Sequence, residues 1–233
     1  MAWLDQAVHD VTRLGKAELS SEDDLTYREI QVIHVDMYGF RIQLTGTQPL
    51  IMHNARLSDP LDVMTKSLAE ITGKRKKTEE DHYEMARREW LGGLYFDDEL
   101  GPYVPGANLE RMLLDAARMS RDGKTVERGL FIPGEKWPLQ YAGPRTVAKM
   151  INNENYRFRA SIKVGQQRVM RCRPMFRDWS LTAEGFFDEE QITPDKLPLF
   201  VERAGKYIGL GDWRPRYGRF TAVAETWEMA DTL

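Results

Sequence analysis

The chain has 233 residues, with 33 lysine and arginine residues against 36 aspartate and glutamate residues and a formal net charge of −3. This length suits one domain with an insertion or two small domains, and the charge balance excludes a polycation, so any nucleic-acid surface must come from segregated charge. The one cysteine, Cys172, excludes an intrachain disulfide and a cysteine-built zinc site, and it fits a reducing compartment.

Residues 1–28 are predicted to form an N-terminal arm, with a short amphipathic helix followed by an acidic spacer. The apolar stripe of that helix would consist of Trp3, Leu4, Val8 and Val11. The arm lacks the basic and apolar regions of a secretion signal, and no apolar run in the chain is long enough to span a bilayer. The sequence therefore predicts a cytoplasmic protein without a membrane partner.

Residues 30–98 are predicted to hold the first core strand and then a mainly helical insertion at 53–98. The strand is indicated by the alternation of apolar with polar residues around Phe40, Ile42 and Leu44. Two helices are predicted in the insertion. Ser58-Asp59-Pro60 is a start signal for a helix that ends at Gly73. After a basic linker at 74–77, Thr78 and Asp81 resemble a capping box for a second helix that ends at Gly92-Gly93.

The second half of the chain supplies two further amphipathic helices and several strands. One helix begins at Pro105-Gly106 and the other follows Thr193-Pro194-Asp195. Short strands are expected near Phe131 and Leu139, and longer ones at 179–187 and 220–227. Without its insertions this order is β-α-β-β-α-β. The sequence therefore predicts an α+β fold with a ferredoxin-like, RRM-like core, in which both helices lie on one face of an antiparallel sheet and the other face stays open.

Residues 157–177 are predicted to form a basic hairpin with its tip at Gly165-Gln166-Gln167. All charged side chains in this segment are cationic: Arg157, Arg159, Lys163, Arg168, Arg171, Arg173 and Arg177. A projecting basic hairpin can bind phosphates along a nucleic-acid backbone without reading its sequence. The alternative is a sheet edge that its charges protect against pairing with another sheet.

A glycine-rich loop at 209–219 is the second candidate for contact with a polyanion. Glycine allows close approach of backbone or phosphate, arginine fits phosphate, and aromatic rings stack on bases. The residues in question are Gly209, Gly211, Trp213, Arg214, Arg216, Tyr217, Gly218 and Arg219. The alternative is a structural turn with solvated arginines. His53, Asn54 and Arg56 could also approach a nucleotide, although His53 is more simply a hydrogen-bonded structural residue.

Two motifs in this order resemble the RAMP (repeat-associated mysterious protein) superfamily, which includes the backbone subunits of CRISPR effector complexes. One is the run GPYVPGANLERML at 101–113, and the other is the glycine-rich loop between the second core helix and the last strand. The resemblance covers about residues 38–227, treats 1–233 as a single domain and identifies 157–177 as the family's thumb. The loop departs from the family pattern at Pro215 and at Phe220, which replaces its last glycine.

The resemblance implies binding of single-stranded or guide-type RNA along a filament of identical subunits, with additional protein subunits as further partners. The chain also resembles phage-borne proteins, which leaves single-stranded DNA open as the ligand. No metal or cofactor is expected. Two alternatives remain: an assembly or regulatory protein that docks on an acidic partner through its basic hairpin, and a metal-dependent ribonuclease.

The ribonuclease alternative comes from family members that cut RNA with a metal and an acidic residue in the loop after the first strand. Asp59 and Asp62 lie in that region here, but Ser58-Asp59-Pro60 is also explained as a helix cap. The sequence has no nucleophile elbow, paired metal-binding histidines or dinucleotide fingerprint. The prediction is therefore a non-catalytic binder of single-stranded nucleic acid.

Overall fold

The structure is a computed structural model that describes residues 37–165 and 167–229, and these residues form an α+β fold with antiparallel sheets. The predicted N-terminal arm, residues 1–28, lies outside the described residues. The strands are β1 Met37–Gly46, β2 Leu50–Ile51, β3 Phe96–Asp97, β4 Gly101–Pro105, β5 Leu130–Phe131, β6 Lys136–Pro138, β7 Arg157–Val164, β8 Gln167–Phe176, β9 Ser180–Asp188 and β10 Phe220–Glu228. The helices are α1 Val63–Thr72, α2 Glu79–Gly93, α3 Gly106–Arg118, α4 Gly123–Gly129, α5 Val147–Ile151 and α6 Lys196–Arg203.

The central sheet has four antiparallel strands in the order β10-β1-β9-β5. The alternation predicted for β1 is confirmed, because Phe40, Ile42 and Leu44 are fully buried on one face. Their neighbours on the opposite face are exposed: Arg41, Gln43 and Thr45. The strands predicted at 179–187 and 220–227 correspond to β9 and β10 to within about one residue, the usual uncertainty of an element boundary.

The hydrophobic core joins the buried face of this sheet to α3 and α6. The apolar stripe predicted for α3 is 0% exposed throughout: Leu109, Met112, Leu113, Ala116 and Ala117. α6 contributes Leu197, Phe200 and Val201 and continues through a π-helical turn, Ala204–Ile208. Burial of each large apolar side chain contributes roughly 1.5–3 kcal/mol, so these stripes hold both helices on the sheet. Asp195 precedes α6 as predicted, but its side chain makes no capping hydrogen bond.

Residues 53–98 are mainly helical, but the first helix begins later than the sequence suggested. The capping box of Thr78 and Asp81 at the start of α2 is confirmed. Ser58-Asp59-Pro60 does not start α1, because the Asp59 carboxylate instead accepts a hydrogen bond from the Leu61 amide (2.8 Å) in a turn. The N-cap of α1 is Asp62, which accepts from the Met64 amide at 2.7 Å.

The hairpin predicted at 157–177 is formed by β7 and β8. Their antiparallel register runs from Arg157 opposite Pro174 to Val164 opposite Gln167. On its other side β8 pairs with the short strand β2, so the hairpin continues into a three-stranded sheet. None of the helices in the described part of the chain is long and apolar enough to cross a membrane.

Candidate nucleic-acid interface

The glycine-rich loop is fixed against β2 by backbone hydrogen bonds. The Asp212 amide donates to the Ile51 carbonyl (2.7 Å), and the Gly218 amide donates to the Pro49 carbonyl (2.8 Å). Gly211 has φ +83° and a Cβ there would collide with the Ile51 carbonyl, while a Cβ at Gly209 would lie 2.6 Å from the Tyr217 carbonyl oxygen. The loop glycines are therefore required by the chain's own backbone, as in the structural alternative.

An aromatic cluster joins the loop to the base of the hairpin. Phe158 of β7 makes edge-to-face contacts with Trp213 and with Tyr217, and each pair of ring centroids is 5.1 Å apart. Both loop rings keep part of their surface exposed. Such contacts contribute about 0.5–1.5 kcal/mol per pair beyond the burial of area. The loop and the hairpin therefore belong to one packed unit.

The three loop arginines are on the surface with different partners. Arg214 lies 3.7 Å from the Asp115 carboxylate, and the Arg216 guanidinium lies 5.8 Å from the centre of the Tyr217 ring. The Arg219 Nε donates to the Pro215 carbonyl (2.7 Å). All three remain accessible to a solvent-borne anion.

The base of the hairpin is not a free basic surface. Glu89 of α2 is only 2% exposed, pairs with Arg171, and accepts a hydrogen bond from the Cys172 amide at 2.9 Å. Arg173 is 9% exposed and lies 4.0 Å from the same carboxylate. Its Nε is 3.5 Å from Asp212, close enough for ion pairing but without hydrogen-bond geometry. These two arginines thus serve packing against α2.

Two further hairpin arginines lie away from the loop. Arg157 donates from Nε to the Ile151 carbonyl at 2.7 Å. Arg177 follows the end of β8 and is exposed in a separate depression beside Tyr141 and Asp178. The structure therefore does not bring these two cations together with the glycine-rich loop.

The outer half of the hairpin keeps its cations free. Lys163 of β7 lies directly opposite Arg168 of β8 in the antiparallel register. Arg159 lies on the same face of β7, four residues before Lys163. All three are exposed, and no carboxylate among the described residues forms an ion pair with them. This face is the strongest candidate for a phosphate backbone.

A cleft of about 350 Å³ lies between the glycine-rich loop and α3, and it brings His53 together with Gly211, Asp212 and Arg214. His53 Nδ1 is buried without a hydrogen-bond partner among the described residues. Burial, with a smaller contribution from the positive charge of Arg173, holds the pKa of His53 below its ordinary value. The ring is therefore neutral near pH 7 and can serve as a hydrogen-bonding group.

Asn54 and Arg56 have structural partners instead. The Asn54 side chain accepts from the Arg56 amide (3.0 Å) and donates to the Leu94 carbonyl (3.3 Å). Arg56 pairs with Asp62 at 3.1 Å, and that hydrogen-bonded pair holds the pKa of Asp62 below its ordinary value. Neither residue lines the cleft of His53.

Sequence reasoning missed Phe158, Glu89, Asn108 and Arg111. The last two line the cleft from α3, within the motif at 101–113, whose residues were not nominated as contacts. Their position after a glycine at the start of a core helix was the available signal. Within the described ranges, no group of three or more histidine, cysteine or acidic residues is placed to hold a metal ion.

No protein-family model matches this chain, and no curated protein matches its sequence.

Proposed function

We propose that this protein binds single-stranded RNA or DNA, without reading its sequence and without catalysis, on the outer hairpin and the glycine-rich loop. The observation that carries the proposal is the packing of Phe158 against Trp213 and Tyr217. This contact makes one continuous unit of two elements that each expose cations. Phosphates would lie along the cations, and the exposed parts of the aromatic rings would offer surfaces for stacking bases.

We infer in addition that the core is ferredoxin-like and of the RAMP type. The strands β1, β5, β9 and β10, taken as first to fourth, lie in the order fourth, first, third, second. This order is expected for two interleaved β-α-β units. The helical segment after the first core strand and the hairpin before the third core strand also agree with a core of the RAMP type. Identical subunits would then follow one another along the bound strand.

The test removes the free cations of the hairpin in one variant: Arg159→Ser, Lys163→Ser and Arg168→Ser. We expect weaker binding of a labelled single strand, together with a decrease of about 2 in the slope of log affinity against log salt, because each phosphate contact to a single strand contributes about 0.7. Fluorescence anisotropy across a salt series measures both for single-stranded RNA, single-stranded DNA and duplex DNA. Arg171 and Arg173 stay in place because they pair with buried Glu89.

A matched control removes three exposed cations of α1 and of the connection that follows it: Lys66→Ser, Arg75→Ser and Lys76→Ser. It changes the net charge equally, so an equal loss of affinity in both variants would contradict the hairpin assignment. If no strand binds to the unchanged protein at low salt, the proposal is wrong.

A second candidate function is assembly through an acidic partner, including another copy of the chain. It is favoured by Glu79 and Glu80, two exposed carboxylates in the first turn of α2 that could meet the cations of a neighbouring hairpin. Light scattering after nuclease treatment separates the two candidates. Salt-sensitive oligomers that persist after nuclease treatment would favour assembly through an acidic partner. Oligomers that form only when nucleic acid is added would favour a filament along the bound strand.

A further inference from the structure

The cleft between the glycine-rich loop and α3 combines an apolar floor with a polar rim. Leu50, Met52, Val104 and Leu210 form the floor, and each is at most 3% exposed. Asn108, Arg111 and Arg214 stand at the rim. Its volume of about 350 Å³ lies at the small end of the range of about 300–1,000 Å³ that is usual for ligand sites.

The rim carries an excess of positive charge. Three arginines surround one carboxylate, since Asp115 lies 3.1 Å from Arg111, 2.9 Å from Arg118 and 3.7 Å from Arg214. One negative charge cannot neutralise three guanidinium groups. Of the three, only Arg111 and Arg214 line the cleft, and the Asp212 carboxylate that also lines it lies 3.5 Å from Arg173, so two guanidinium groups stand at the rim for an anion.

Inside the cleft, polar groups are placed at the edge of the apolar floor. His53 lines the cleft, and its Nδ1 has no hydrogen-bond partner among the described residues. Asp212 accepts from the Trp213 amide at 2.9 Å and keeps further acceptor capacity. A flat ring with apolar faces, a polar edge and an attached anion matches this arrangement.

We infer that the cleft holds one nucleotide of the bound single strand, with its base on the apolar floor and its phosphate between Arg111 and Arg214. The inference rests on the proposed function and adds a defined pocket to it. The base edge meets His53, and the neighbouring nucleotides continue over the loop towards the hairpin. A pocket for one base without strict shape selection is compatible with binding that does not read sequence.

The test compares two oligonucleotides of equal length, one with thymine bases and one fully abasic, in an anisotropy titration. We expect the unchanged protein to prefer the base-bearing strand by about tenfold or more, because tenfold is the scale of one stacked base and Trp213 and Tyr217 would add to it. Asn108→Trp fills the cleft from α3 and should reduce that preference severalfold while leaving the affinity for the abasic strand. Arg111→Ala should weaken the binding of both oligonucleotides. Arg118 lies on the same helix and pairs with the same carboxylate, Asp115, but Arg118→Ala should leave the binding of both unchanged.

Photo-crosslinking provides a second measurement that needs no variant. A single strand containing 4-thiothymidine should crosslink to the peptides that contain His53 or Tyr95, which both line the cleft. Strong strand binding with crosslinks only to other surfaces, or an unchanged base preference in folded Asn108→Trp, would overturn the pocket and leave the proposed function standing. Absence of strand binding would overturn both.

Discussion

The residue with the widest influence on the site is Glu89, a buried carboxylate on which three groups of β8 converge. Arg171 pairs with it, the Cys172 amide donates to it at 2.9 Å, and Arg173 lies 4.0 Å away. A buried carboxylate is tolerated only when charges and hydrogen bonds compensate its loss of water. Here they also fix the base of the hairpin to α2.

We expect Glu89→Ala to lower the free energy of unfolding by about 3 kcal/mol, because Arg171 and the buried Cys172 amide lose their partner and Arg173 keeps only the Asp212 carboxylate at 3.5 Å. Urea unfolding followed by circular dichroism measures the change. Glu84→Ala, on the same helix but with a partly exposed carboxylate, is the control and should cost clearly less. Similar losses in the two variants would show that Glu89 does not organise the hairpin base.

His53 should make stability depend on pH. Burial and Arg173 lower its pKa from the ordinary 6.5, so as the pH falls the unfolded chain takes up a proton before the folded protein does. The stability that neutral His53 contributes to the folded protein is therefore fully present above about pH 6.5. It is lost as the pH falls from there towards the folded-state pKa of His53.

Between about pH 7 and about pH 5.5, the unchanged protein should lose more stability than His53→Gln. The urea midpoint measured at each pH reports the difference. Asp81 and Asp97, each with a pKa of about 2, titrate well below this window and do not interfere. Parallel curves for the two proteins would contradict a lowered pKa of His53.

At the scale of the elements, the glycine-rich loop is a packed connector whose glycines are required by its own fold. Gly209, Gly211 and Gly218 all have positive φ, and a Cβ at any of them would meet a backbone carbonyl. Function in this loop therefore resides in its side chains, the arginines and the aromatic rings. In the hairpin the two roles are separated along its length: the base packs against α2, and the outer half keeps its cations free.

Two alanine substitutions separate backbone strain from collision. Gly165 at the hairpin tip has φ +60° with open space around its Cβ position, so Gly165→Ala should cost about 1 kcal/mol from the left-handed conformation alone. Gly211→Ala adds a collision with the Ile51 carbonyl and should cost about 3 kcal/mol. Chemical denaturation measures both, and equal losses would mean that the loop yields easily around Gly211.

At the scale of the whole molecule, the open face of the central sheet differs in charge from the surface of the outer hairpin and the glycine-rich loop. The open face of the central sheet carries Glu184 and Glu225 on either side of Arg41, so its one central cation is already matched. Phe131 and Phe186 pack together on the same face with centroids 5.2 Å apart. The open sheet face therefore offers no unmatched cation to a phosphate, and the proposed nucleic-acid strand lies on the hairpin and the glycine-rich loop instead.

Much of this fold could be predicted because its signals are local. The burial of Phe40, the capping box at Thr78 and the apolar stripe that begins at Leu109 follow from periods of two and 3.6 residues and from hydrogen bonds within one turn. The start of α1 was placed wrongly because Asp59 and Asp62 are both able to cap. Only the surrounding contacts, including that of Arg56 with Asp62, favour the later start.

By itself the sequence determined the α+β class, the hairpin and the concentration of cations in it, since each depends on residues close together in the chain. Tertiary structure alone decided which cations stay free, because the counter-charge of Arg171 comes from Glu89, 82 residues earlier. It also decided that His53 shares a cleft with the glycine-rich loop and Arg111. Charge and packing act through space, so residues far apart in sequence determine whether a side chain is available for binding.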